Sequence, residues 1–159
     1  MTKIILCGCG GKRGAAITGI VNERDDCEIV AGVDVNTACS REYQVYQGIA
    51  DISETADVII DFSHPSTLDS ILAYAVEKQV PAILCTTGYS EAQIRQIEVT
   101  SQKVALFHSG NMSLGINLLI ALSRKAAQIL GGSFDVEIVE KHHNQKIDAP
   151  SGTALMIAK

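Results

Sequence analysis

The sequence contains no tryptophan, only three prolines and only 4% aromatic residues. Small aliphatic side chains must therefore build most of the core, and 47% hydrophobic residues supply enough of them. Such packing is common in layered α/β folds. The length of 159 residues suits one domain, or one domain and a fragment of another.

Basic charge and long hydrophobic runs are also lacking. The net charge is −5, and no basic block interleaves with aromatic residues, which argues against a nucleic-acid partner. The apolar run at 116–122 ends at Ser123, Arg124 and Lys125 and is too short to span a bilayer. An acidic chain that binds an anion must build a local positive site against its own field.

The five cysteines are odd in number, and no secretory leader precedes them. This usage favours a reducing cytoplasm over a disulfide framework. The pair Cys7 and Cys9 suggests a metal site, but no second Cys or His pair follows at ligand spacing. We therefore predict no metal, and interpret both cysteines as small side chains of a buried strand and its turn.

Strand-like and helix-like segments alternate over the first part of the chain, which predicts βαβ units and a doubly wound parallel sheet. The predicted strands are 3–7, 28–33, 57–61, 81–85 and 104–108. The predicted helices are 15–22, one opened by Pro65, one capped by Ser90 with Gln93, 114–130, and one begun by Asp148 and Pro150. Residues 35–56 are polar and poorly periodic.

The pattern of apolar and polar residues changes after Gly132. Residues 134–142 alternate apolar and polar side chains, which predicts a half-exposed strand. We predict a dinucleotide-binding domain over 1–112, followed by the hinge helix and the start of an α+β substrate-binding domain over 113–159.

A glycine-rich turn follows the first predicted strand and opens a helix. Gly8, Gly11 and Gly14 are spaced G-x-x-G-x-x-G, which departs from the strict G-x-G-x-x-G pattern. Such a turn lets a pyrophosphate approach the backbone N–H groups at a helix start, although it is also compatible with a simple tight loop. Asp34 ends the second strand 20 residues after Gly14, where an acidic residue binds the adenosine ribose. Together these features predict a dinucleotide site.

The charges around this turn bear on the choice of cofactor. Asp34 repels a 2′-phosphate, and the next residue is Val35 instead of an arginine. Lys12 and Arg13 either offset that repulsion or are solvated surface charges. NADH is therefore favoured, with NADPH tolerated.

A second informative segment lies at 140–154. Two histidines, His142 and His143, and two lysines, Lys141 and Lys146, fall within six residues of an acidic chain. Residues 151–153 follow at the start of a predicted helix, whose free N–H groups bind anions. Singly, each residue has an ordinary surface or core role. In combination they predict a cationic pocket for a small carboxylate substrate.

This segment resembles the signature of the dihydrodipicolinate reductase family, H-H-x-x-K-x-D-A-P-S-G-T-A, at every fixed position from His142 to Ala154. Other parts of the chain resemble the family in the same order. These are the nucleotide turn 8–14, with Arg13 where an apolar residue is common; the strand end Asp61-Phe62-Ser63; the loop 85–88, with Cys85 replacing a glycine; and the interdomain segment 111–117.

The resemblance implies reduction of 4-hydroxy-tetrahydrodipicolinate, via dihydrodipicolinate, in the diaminopimelate route of lysine biosynthesis. It implies that His142 is the general acid and that Lys146 pairs with a carboxylate. His143, Gly152 and Thr153 would bind the substrate. The implied cofactor contacts are Gly8, Gly11, Lys12, Arg13, Gly14, Asp34, Phe62, Cys85, Thr87, Gly88, Ser109 and Met112. Family members are homotetramers that continue beyond the S-G-T-A helix, so we expect this chain to hold an incomplete second domain.

Two rival functions stay open. One is a nucleotide-binding fragment or redox sensor without turnover, which an incomplete second domain would favour. The other is a homoserine- or aspartate-type dehydrogenase, against which the signature at 142–154 argues.

Overall fold

The predicted strands form a parallel sheet in the computed structural model, which describes residues 1–144 and 149–158. The strands are β1 (Thr2–Cys7), β2 (Cys27–Val33), β3 (Gln44–Tyr46), β4 (Val58–Asp61), β5 (Ala82–Leu84) and β6 (Leu106–His108). Their order is β3-β2-β1-β4-β5-β6, and every pairing is parallel. This is the doubly wound order of dinucleotide-binding folds, so the predicted fold class is confirmed. The order reverses between β1 and β4.

The two faces of the sheet are covered by separate apolar clusters. In β1, Ile5 and Cys7 belong to one cluster and Leu6 to the other, because successive side chains of a strand point to opposite faces. Leu6 packs with Cys9 and Val45, and all three are buried. Aliphatic side chains and small thiols therefore fill most of the core, as the low aromatic content predicts.

Three helices flank the sheet in the first unit: α1 (Lys12–Asn22), α2 (Leu68–Lys78) and α3 (Glu91–Thr100). Helix α1 begins at Lys12, earlier than the predicted Ala15. A single 3₁₀ turn, Pro65–Thr67, precedes α2. The predicted cap of α3 is confirmed as a capping box, in which Ser90 and Gln93 each accept the other's backbone N–H.

The poorly periodic stretch 35–56 contains β3 and a 3₁₀ turn at Ile49–Asp51. The sequence did not predict this strand. It is three residues long with only Val45 buried, so it leaves no periodic signal. Pairing with β2 decides its conformation.

By its internal contacts the chain divides into two units, Met1–His108 and Ser109–Lys159. The boundary of the functional domains after residue 112 stays a prediction. In the second unit α4 spans Leu114–Leu130, as predicted, and Gly131 follows it with φ +59°. Helix α5 spans Gly152–Ala158, with the Ser151 hydroxyl accepting the N–H of Ala154 at 3.1 Å. It therefore begins at Gly152, later than the predicted Pro150.

The strand predicted at 134–142 is wrong, because these residues carry no regular secondary structure. Their alternating apolar side chains are exposed, including Phe134 at 61% and Val136 at 73%. A strand needs a neighbour that pairs its N–H and C=O groups, and no other strand lies among the described residues of this unit. Among the described residues, no helix combines the length and apolar character that crossing a membrane requires.

Candidate functional site

The turn after β1 brings the chain back to α1 through contacts that only glycine allows at two positions. Gly8 has φ +78°, and a Cβ there would lie 2.5 Å from the carbonyl oxygen of Phe62. A Cβ at Gly14 would overlap the Gly8 carbonyl and lie 2.6 Å from the Cα of Cys9. The turn is therefore fixed against both α1 and the end of β4.

Gly11 differs from its neighbours in the turn. It is the N-cap of α1, and the nearest atom to an added Cβ would be the Gly8 carbonyl oxygen at 3.5 Å, an ordinary contact. The packing of the protein therefore does not require glycine at position 11. Lys12, the first residue of α1, is exposed beside it.

Asp34 lies against this turn, as the sequence predicted for an acidic residue at the end of β2. Its Oδ2 accepts the N–H of Gly10 at 2.8 Å, and its Oδ1 accepts the N–H of Asn36 at 2.9 Å. Arg41 reaches the same turn, donating to the carbonyl oxygen of Cys9 from Nη2 at 2.7 Å and from Nε at 3.2 Å. Sequence reasoning missed Arg41, because it lies in the stretch without periodicity.

A cleft of about 470 Å³ opens beside the turn, where the strand order reverses. Four sequence-predicted residues, Gly8, Gly11, Asp34 and Phe62, line it. Ser63, which the sequence indicated only as part of the D-F-S strand end, also lines the cleft. The sequence did not single out the other polar residues of its wall, which are Gln47, His64, Ser66 and Thr67.

Arg13 and Phe62, both predicted cofactor contacts, touch each other. The Arg13 guanidinium carbon lies 5.7 Å from the centre of the Phe62 ring, within the range of a cation–π contact. Arg13 therefore lies toward the end of β4, whereas Arg41 binds the turn that Asp34 holds.

The loop after β5 carries the predicted residues Cys85, Thr87 and Gly88. Cys85 is buried and donates its backbone N–H to the carbonyl oxygen of Asp61 at 2.9 Å. Burial, and next the charge of Asp61, raises the pKa of the Cys85 thiol to about 11, with Arg13 opposing the shift. Thr87 and Gly88 are exposed, and Gly88 has φ +83°.

Asp61, at the end of β4, is fully buried and accepts four hydrogen bonds. Its donors are the Ser63 N–H at 3.0 Å, the Ser63 hydroxyl, the Thr86 hydroxyl at 2.8 Å and the Tyr89 hydroxyl at 3.1 Å. Burial, and next the charge of Asp61, raises the pKa of Tyr89 well above its ordinary value. The sequence indicated Asp61 only as part of the D-F-S strand end, without a role.

In the second unit, Glu140 links both ends of the segment that carries the signature. Its Oε1 accepts the N–H of Ser151 at 2.9 Å, and its Oε2 lies 3.8 Å from Nδ1 of His142. His142 and His143 are exposed on a segment that is not a strand, so strand alternation does not assign them to opposite faces. The sequence did not single out Glu140 as a partner of His142.

Two further predicted residues of this unit, Thr153 and Ser109, bond to Asn111. The Asn111 side chain donates to the Thr153 hydroxyl at 2.9 Å, and the hydroxyl of Ser109 bonds to the Asn111 carbonyl at 3.0 Å. Gly152 starts α5, and Met112 is 43% exposed. Lys146 lies outside the described residues. Within the described ranges, no group of three His, Cys, Asp or Glu side chains forms a metal site.

Family models match both units. The model of the dihydrodipicolinate reductase N-terminus matches residues 2–112, and that of the dihydrodipicolinate reductase C-terminus matches residues 115–159. The 4-hydroxy-tetrahydrodipicolinate reductase of Clostridium tetani is 47% identical over 158 residues, covering 99% of this chain and 62% of that protein. The enzyme of the same name from Clostridium novyi gives 47% over 157 residues with the same coverage.

Solved structures show the same fold, and one of them belongs to this family. Dipicolinate-bound dihydrodipicolinate reductase from Paenisporosarcina sp. TG-14 superposes with a TM-score of 0.76 at 26% identity, over 99% of this chain and 64% of that one. GenD2 from gentamicin A biosynthesis, in complex with NAD, gives a TM-score of 0.59 at 15% identity, over 77% and 38% of the two chains, and shows the fold alone. This chain therefore spans about 62% of the length of the curated relatives it matches.

Proposed function

Because this chain belongs to the dihydrodipicolinate reductase family, we propose that the protein reduces 4-hydroxy-tetrahydrodipicolinate, by way of dihydrodipicolinate, to tetrahydrodipicolinate. The reaction uses NADH or NADPH and belongs to the diaminopimelate route of lysine biosynthesis. The main support for this proposal is the 8–14 turn, which borders a cleft where the strand order reverses. Asp34 is hydrogen-bonded to this turn. The free thiols of all five cysteines support a cytoplasmic location.

The residues around the cleft fit a dinucleotide. Gly11 borders the cleft without being required by the fold, which supports a close approach of the pyrophosphate to the backbone there. Lys12 contributes charge beside the same helix start. Asp34 binds the adenosine ribose after exchanging its bonds to the Gly10 and Asn36 N–H groups.

The same geometry favours NADH over NADPH. The Asp34 carboxylate repels a 2′-phosphate and accepts hydrogen bonds from the ribose hydroxyls of NADH. Arg41 is the cation on the adjoining turn, and it weakens that repulsion enough for NADPH to be tolerated. Arg13, placed on the Phe62 ring, acts at the other end of the cofactor.

When bound, the reduced nicotinamide supplies the hydride for the conjugated ring of the imine dicarboxylate. His142 is then the general acid that protonates the ring. Its Nδ1 faces Glu140, so its Nε2 carries the proton toward the substrate. In this mechanism Oε2 of Glu140 attracts the protonated ring of His142 across 3.8 Å, while Oε1 accepts the Ser151 N–H.

The substrate carries two carboxylates, and the signature segment binds them. We propose that Lys146 pairs with one carboxylate, while Gly152 and Thr153 bind the other through backbone N–H groups. His143 assists binding. Asn111 holds the Thr153 hydroxyl and so fixes the residue that follows Gly152.

The test is NADH oxidation with freshly prepared substrate precursor, followed by loss of the nicotinamide absorbance. We expect oxidation that requires the substrate and is inhibited by pyridine-2,6-dicarboxylate. NADH binding without oxidation would instead support the nucleotide-binding alternative. Failure to bind either nucleotide would contradict the assignment of the 8–14 turn.

A further inference from the structure

The buried carboxylate of Asp61 joins two loops that leave neighbouring strands. Ser63, on the loop after β4, donates to it through both N–H and hydroxyl. Thr86 and Tyr89, on the loop after β5, donate to its other oxygen at 2.8 and 3.1 Å. One side chain therefore fixes the distance between both loops at the carboxyl edge of the sheet.

Burying the carboxylate of Asp61 is energetically unfavourable because it loses its hydration. It is 0% exposed, and no ion pair within residues 1–144 and 149–158 includes it. A buried carboxylate is tolerated only when hydrogen bonds satisfy it. Because an apolar side chain would fill this position without that requirement, the four donors indicate that Asp61 orders the loops.

The network extends to further elements of the same unit. The Ser63 hydroxyl lies 2.7 Å from the Thr67 hydroxyl, at the turn that leads into α2. The Tyr89 ring packs on the ring of His108, the last residue of β6, with centroids 5.4 Å apart. The two loops are thus anchored to rigid elements on both sides of β4 and β5.

We propose that Asp61 is the positioning residue that sets the loops for the nicotinamide half of the cofactor. This inference rests on the proposed function, in which Phe62, Thr87 and Gly88 contact the cofactor. Phe62 follows Asp61 directly, and Thr87 and Gly88 lie between Thr86 and Tyr89. Each of these contacts is therefore flanked by a residue of the Asp61 network.

The adenosine half of the cofactor depends on different contacts. The 8–14 turn and Asp34 hold each other through the Gly10 N–H, and Arg41 binds the Cys9 carbonyl. None of these described hydrogen bonds includes Asp61. A ligand that lacks nicotinamide, ADP-ribose, should therefore depend on Asp61 much less than NADH does.

The experiment measures the dissociation constants of NADH and ADP-ribose for the whole chain and for Asp61→Ala. We expect NADH affinity to fall by at least about tenfold, as loss of charge-assisted hydrogen bonds that fix a loop would cause, with ADP-ribose affinity nearly unchanged. The matched control is Asp57→Ala at the opposite end of β4. Asp57, which directly precedes β4, accepts the Lys3 N–H at 2.8 Å, so this variant also removes a hydrogen-bonded carboxylate but leaves both loops intact.

Two milder variants keep the test decisive if Asp61→Ala does not fold. Thr86→Val and Tyr89→Phe each delete one donor and preserve shape. We expect each to reduce NADH affinity about threefold to tenfold relative to ADP-ribose, the scale of one hydrogen bond.

The outcomes separate this inference from the proposed function. Equal losses for both ligands in the folded variants would overturn the positioning role and leave Asp61 a stabilising residue. The same conclusion follows if the wild-type chain binds NADH no better than ADP-ribose, although nucleotide binding itself would stand. If the wild type binds neither ligand, the proposed function fails and this inference fails with it.

Discussion

Asp34 and Asp61 lie at the carboxyl ends of β2 and β4, the two strands that flank β1, yet their surroundings give them different roles. Asp34 is half-exposed on the cleft wall, and its carboxylate bonds to backbone N–H groups that a ligand can replace. Asp61 is buried and bonds to side chains of two loops. A carboxylate whose hydrogen-bond donors can be replaced by a ligand is suited to ligand binding. A buried carboxylate whose oxygens are already fully hydrogen-bonded is suited to positioning loops.

The role of Asp34 in cofactor choice is testable with Asp34→Ala. We expect NADH affinity to fall on the order of tenfold more than NADPH affinity, because only NADH uses the carboxylate as a ribose acceptor. Both affinities should also fall somewhat, since Asp34 holds the Gly10 N–H. Titration with each cofactor measures this, with Asp26→Ala, before β2, as control. Equal losses for both cofactors would make Asp34 purely structural.

The buried thiol of Cys85 predicts how stability responds to alkali. Its pKa is raised from 9.0 to about 11 in the fold, so above pH 9 the unfolded chain releases a proton that the folded chain retains. Unfolding is then favoured as pH rises, and stability falls between pH 9 and about 11. Urea unfolding across this range should give a shallower fall for Cys85→Ala. An identical pH dependence in that variant would contradict the shift.

At the scale of elements, α1 depends on one glycine and is weakened by another. Gly14 has no room for a Cβ beside the Gly8 carbonyl, whereas Gly19, in the same helix, has nothing within 4 Å. We expect Gly14→Ala to lower the free energy of unfolding by about 1–3 kcal/mol through overpacking. Gly19→Ala should raise it by about 0.5–1 kcal/mol, because alanine is the better helix former. Chemical denaturation of both variants measures the contrast, and equal effects would refute it.

Two short extended segments show that pairing, more than pattern, makes a strand. Residues 44–46 have little alternation but pair with β2 and form β3. Residues 134–142 alternate clearly, yet they have no paired strand within the described part of their unit. Hydrogen bonding to a neighbour satisfies the backbone in the first case, and no described partner strand does so in the second.

At the scale of the molecule, the proposed mechanism takes its general acid from the second unit, and His142→Ala tests that role. In the reductase we expect kcat to fall on the order of 10²–10⁴-fold, the usual contribution of a positioned general acid, with a smaller change in KM. His143→Ala is the matched neighbour, and we expect its effect mainly in KM. Steady-state kinetics on both variants decide, and a near-normal kcat for His142→Ala would remove it from the mechanism.

The amino-acid sequence by itself determined the doubly wound sheet, the nucleotide turn with Asp34, and the family signature at 142–154. These features depend on local requirements that residues record directly: apolar runs for buried strands, glycine where a Cβ would clash, and a fixed order of side chains in a motif.

Only the tertiary structure decided which side chains meet across strands. The Asp61 network joins residues 61–63 to 86–89, Arg41 reaches back to Cys9, and Glu140 connects His142 with Ser151. Contacts between residues so far apart along the chain leave no periodic pattern in the sequence, because the chain topology decides which residues meet. The same holds for β3 and for residues 134–142, since a strand forms only where the fold supplies a neighbour for its backbone hydrogen bonds.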